Sequence, residues 1–177
     1  MKKIFFAFLL LCSLFSHAQT TVARYSSGSF QIDLNASNKQ LVTDSIKSKL
    51  GLPALSLDSV TVDDPSPSTT DSAAYLVFHA STPTSKLSIG FYVSKENAGS
   101  DIDYKIVQSH QYAARTWKCE TNKNCNHCAG ERNWFLGPVV RCSCADCKFS
   151  TGGGGAAVPI AASLISLIGV LVTVFNK

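Results

Sequence analysis

Apolar positions along the chain fall into three regimes. A short unbroken run occupies residues 4–11, a long middle carries them at alternating or helical spacing, and a largely apolar run without a charge fills residues 156–175. In the middle, Leu41, Val42, Ile46 and Leu50 recur at helical spacing. Ser37 can cap that helix, with Gln40 at the third helical position reaching back, and Gly51 followed by Pro53 stops it. Residues 55–63 and 74–80 are rich in strand formers, and 64–73, DPSPSTTDSA, reads as an exposed, mobile loop. Residues 86–93 alternate, with Leu87, Ile89, Phe91 and Val93 on one face and Ser88, Gly90 and Tyr92 on the other. ENAGSD then reads as a turn and 104–115 as a further long strand, while order begins near Phe30. Four strands with short links and one amphipathic helix predict an α+β fold, a small antiparallel β-meander with the helix on one face.

The two apolar runs change the picture from fold to address. Lys2 and Lys3, the apolar stretch, and Ser16-His17-Ala18 make residues 1–18 a cleavable signal peptide, with Cys12 inside the discarded part. The terminal run has 20 residues without a charge, a helix of about 30 Å, which matches a hydrocarbon core. Pro159 falls in its first turn, where a missing donor is tolerated. The predicted organisation is therefore a signal peptide (1–18), an α+β domain (19–115), a Cys-rich module (116–150), a Gly linker (151–155) and a transmembrane helix (156–175). The chain is then exported and membrane-anchored by that C-terminal helix, with residues 19–155 outside the cytoplasm.

Charge adds one exclusion. Losing Lys2, Lys3 and Lys177 with the ends takes the net charge from +4 to +1, too near neutral for a nucleic-acid partner. Arg115, Lys118, Lys123, Arg132, Arg141 and Lys148 outnumber Glu120, Glu131 and Asp146 around the cysteines, a solvated face or a contact for an anionic envelope lipid, protein or glycan.

Residues 119–147 hold six cysteines in the pattern C-x5-C-x2-C-x13-C-x-C-x2-C. Cys125, Cys128, Cys144 and Cys147 alone have the spacing of a four-thiolate zinc site, which strands Cys119 and Cys142. All six, Cys119, Cys125, Cys128, Cys142, Cys144 and Cys147, instead pair completely as three disulfides. An exported chain meets oxidants, and a segment whose local core is Trp134, Phe135, Leu136, Val139 and Val140 is too small to hold by burial alone. Disulfides are the favoured reading; zinc, or a redox-active C-x-x-C pair, is the alternative. His127 reads as an exposed loop residue, and His79 and His110 as packed or surface residues; no nucleophile motif surrounds them, so no catalytic residue is assigned.

KCETNKNCNHC followed by RCSCADC resembles the Cys-rich ends of small uncharacterised exported bacterial proteins, in which a C-x5-C-x2-C block precedes C-x-C. The resemblance spans about 30 residues. It implies export and a bacterial source, and transfers no site. The function expected from the sequence is that of a membrane-anchored, Cys-rich envelope protein serving binding or assembly, against a membrane-tethered metal-binding or thiol redox protein.

Overall fold

A computed structural model of the chain describes residues 19–121, 128–151 and 158–176. The predicted signal peptide and residues 152–155 of the Gly linker lie outside the described residues. Strands β1 (Gln19–Ser26) and β2 (Ser29–Ile32) open the fold as a hairpin. Ser27 and Gly28 both take positive φ, 51° and 82°, the backbone that a two-residue hairpin turn requires. Order thus begins well before Phe30: YSSGSF is the turn of this hairpin and not a preamble.

Helix α1 (Ala36–Leu50) follows. Its N-cap is Asn35, whose side chain accepts from the Asn38 amide at 2.9 Å, so the cap sits two residues earlier than Ser37. The stop is as expected: Gly51 adopts a left-handed conformation and its N–H donates to Lys47 O. Strands β3 (Ser56–Asp63), β4 (Ala74–Ser81), β5 (Lys86–Ala98) and β6 (Asp101–Val107) form the antiparallel meander. Residues 110–115 are not strand but a short helix, α2 (His110–Arg115), leading to β7 (Trp117–Thr121). The hairpin β8 (Gly130–Arg132) and β9 (Val139–Cys142), strand β10 (Lys148–Thr151) and helix α3 (Val158–Phe175) complete the order.

Strand β5 organises the sheet. One edge pairs with β4 from Lys86 to Val93, while the other pairs with β7 over Lys86–Gly90 and with β6 over Ser94–Ala98. β1 adds to β6, and β10 adds to β7. Both sheet faces are covered, which explains why AYLVFHA in β4 is nearly continuous in apolar residues. Ala74, Leu76, Phe78 and Ala80 join the larger core with Leu87, Ile89, Phe91, Tyr104 and α1; Tyr75 and Val77 join a smaller one on the opposite face with Trp117, Cys119, Cys128, Val139 and Cys142.

The terminal helix corrects the sequence reading. Among the described residues no helix is long and apolar enough to cross a membrane. In α3, Leu167, Ile168, Leu171, Val172 and Val174 are buried in the larger core, beside α1, β1 and β6. Buried Asn38 of α1 donates its side-chain N–H to Val174 O at 3.1 Å, occupying a carbonyl at the helix end. A helix that is apolar on all sides satisfies a bilayer or a protein interior. Here the sheet and α1 together supply the interior.

The loop 64–73 is likewise tied down. Asp64 and Lys95 form an ion pair at 2.7 Å with side chains 0% and 1% exposed. Ser72 Oγ donates to Asp64 Oδ1 at 2.5 Å, Tyr104 Oη to Asp64 Oδ2 at 2.7 Å, and Lys95 Nζ to Ser66 O at 2.8 Å. Burial alone would raise the Asp64 pKa, but the hydrogen bonds from Lys95, Ser72, Tyr104 and the Ser66 amide outweigh it and hold the carboxyl below its usual range. Tyr104 is pushed up, first by burial and then by its bond to that carboxylate.

Candidate functional site

The sulfur chemistry gathers on the sheet face opposite the two long helices. Cys119 is fixed by β7, opposite Ser88 of β5 and Phe149 of β10; Cys142 is fixed by β9, opposite Gly130 of β8. Their side chains meet in a disulfide with Cα atoms 5.7 Å apart. A second disulfide joins Cys128 to Cys147 across 6.2 Å between Cα atoms. Cys144 is also disulfide-bonded, and Cys125 and His127 lie outside the described residues. Disulfide cross-linking is therefore the observed state of this module.

The two described bridges nearly touch. The sulfurs of Cys119, Cys128 and Cys142 lie within 4.8 Å of one another, and all three residues are buried. Spacing in the sequence singles out Cys125, Cys128, Cys144 and Cys147. Of these, the structure joins Cys128 and Cys147 to each other, holds Cys144 in a bridge, and brings Cys128 instead to Cys119 and Cys142, which that spacing rule sets aside. No signal in the sequence could have found that grouping, because it depends on β9 folding back beside β7.

No family model matches the chain, and no curated protein or solved structure matches it either. Chemistry at this site must therefore be argued from its own geometry. Beside the sulfurs lies a cavity of about 340 Å³ whose lining includes Cys128, His79, Ser88, Lys86, Thr61 and Asp58. His79 reaches Ser88 Oγ through Nδ1 at 3.0 Å and Thr61 Oγ1 through Nε2 at 3.1 Å, so both ring nitrogens are engaged. This agrees with a packed histidine.

The apolar residues expected to form the module's own core do something else. Only Val139 is buried; Trp134 is 59% exposed and Phe135 70%, and Leu136 and Val140 are exposed as well. The sheet supplies the core instead, through Trp117, Tyr75 and Val77. Hydrogen bonds tie the backbone of the exposed tip: Gly137 N–H donates to Trp134 O, Ala73 N–H to Leu136 O, and Arg132 Nη1 to both Gly137 O and Ala73 O. Arg132 also pairs with Asp63 at 2.9 Å and lies over the Tyr75 ring at 5.3 Å. The neighbouring Arg141 and Glu131 make a two-pronged surface pair, whose hydrogen bonds hold the Glu131 carboxyl below its usual range.

Proposed function

We propose that the protein is an exported envelope protein whose Cys-rich module is stapled by disulfides to a β-sheet scaffold and serves binding or assembly. One observation carries this reading: the Cys119–Cys142 bridge ties the module to β7 and the Cys128–Cys147 bridge closes the module on itself, which is the chemistry of a chain matured outside a reducing compartment. The Trp134-Phe135-Leu136 tip supports a binding role, since it presents exposed aromatic rings on a backbone tied back by hydrogen bonds to Ala73 and Gly137. Export itself rests on the signal-like residues 1–18.

The test is intact mass of the mature protein from its native compartment, with and without reductant and alkylating agent. Blocked cysteines and an N-terminus at Gln19 are the expected result. Free thiols with a retained leader would overturn the reading. A thiol redox function is the second reading, favoured by the three buried sulfurs of Cys119, Cys128 and Cys142 and by the cavity that Cys128 borders.

A further inference from the structure

We propose that the Cys119–Cys142 and Cys128–Cys147 bridges form one thiol–disulfide exchange site, in which a small external thiol opens the second bridge and the freed Cys128 captures the first. The proposal rests on the disulfide-stapled reading above. Three observations carry it: sulfurs of both bridges within 4.8 Å, unequal access to them, and a cavity at Cys128.

Access sets the direction. Cys119 is 0%, Cys128 4% and Cys142 9% exposed, while Cys147 is only partly buried. An incoming thiolate therefore attacks Cys147 Sγ, forms a mixed disulfide there, and expels Cys128 as a thiolate. That thiolate is buried against Trp117 and Val139, where an uncompensated charge is costly. Three fates remain for it. It expels the external thiol from Cys147 and restores the bridge, it takes a proton and stops, or it attacks the neighbouring bridge.

Geometry favours attack. Cys119 and Cys142 are held by strand ladders that do not depend on the opened bond, so the target stays within reach. Attack on Cys119 Sγ forms Cys119–Cys128 and releases Cys142, the more exposed of the pair, as the thiolate. If Cys142 then attacks the mixed disulfide at Cys147, the original thiol leaves unchanged. The net result is isomerisation from 119–142 and 128–147 to 119–128 and 142–147, with no net oxidation.

The experiment uses the full mature chain, native buffer and glutathione at one equivalent, followed by acid quench, alkylation and mapping of linked peptides. The expected product is a Cys119–Cys128 crosslink, at a level comparable with native Cys119–Cys142 among molecules whose second bridge has opened. Glutathione should sit on Cys147 or be absent. If those molecules instead keep Cys119–Cys142 alone and carry alkylated Cys128, exchange is overturned. A map taken before glutathione is the control: bridges missing at that stage overturn the stapled-module reading itself. Cys147→Ser gives an independent check, because Cys128 then faces the other bridge with no partner. Mixed pairing among Cys119, Cys128 and Cys142 supports the site, and exclusive Cys119–Cys142 pairing refutes it.

Discussion

Replacing Leu171 by alanine distinguishes a helix that belongs to the protein's interior from one that serves a bilayer. Leu171 is 1% exposed and sits in the larger core with Leu167, Ile168, Val42 and Ile46. Removing its isobutyl group loses transfer free energy and leaves a void between α3 and its neighbours, together about 3 kcal/mol. For a chain of this size each kcal/mol lowers the melting temperature by roughly 2 to 4 °C, so the expected drop is about 6 to 12 °C. The assay is thermal unfolding followed by circular dichroism in detergent-free buffer, with Thr173→Ala as the control. Thr173 lies on the same helix but is exposed, its hydroxyl donating back to Gly169 O, and its loss should stay within about 0.5 kcal/mol. Equal melting of the two variants, or a wild-type protein that stays in solution only with detergent, would refute the core role of α3.

Three further outcomes follow from the packing. Asp64→Asn leaves Lys95 buried without its counter-charge and should cost about 3 to 5 kcal/mol by urea titration. Because the folded Asp64 pKa is depressed, its contribution is complete above the ordinary carboxylate value of about 3.9 and is lost as pH falls through the folded value. Wild type should therefore lose stability on acidification more steeply than the variant, and parallel curves would contradict the network. Gly90→Ala would put a methyl group 2.2 Å from Trp117 Cε2, so the variant should lose at least about 1 to 3 kcal/mol and shift its tryptophan fluorescence. The double variant Cys119→Ala with Cys142→Ala opens a loop with a sequence separation of 23 and should cost about 3 kcal/mol in equilibrium unfolding.

Much of the scaffold was readable from local pattern. The body and stop of α1, strands β3 and β4, and the alternation of β5 follow from residues whose neighbours in sequence are also their reason for folding. The misplaced pieces depend on distant partners. Glu96 to Ala98, read as part of the ENAGSD turn, stays extended because β6 pairs with it. Residues 110–115 are β-favouring but must cross from β6 to β7, and they coil into α2. Ser37 reads as the cap, but the helix starts at Ala36 and the side chain of Asn35 takes that role by reaching the Asn38 amide. The run 156–175 is apolar enough for either a membrane or a core, and only the face offered by α1, β1 and β6 decides. At the site, cysteine content promised bridges, while the pairing and the proximity of Cys119, Cys128 and Cys142 required the three-dimensional return of β9.

Because a single strand, β5, lies in the ladders of both β7 and β6, the sulfur-bearing side and the helix-covered side share one backbone spine. Heat that frees either side must tear hydrogen bonds from the strand on which the other depends. The described residues should accordingly melt in one transition, with the packing around the bridges and the packing under the helices failing at the same temperature.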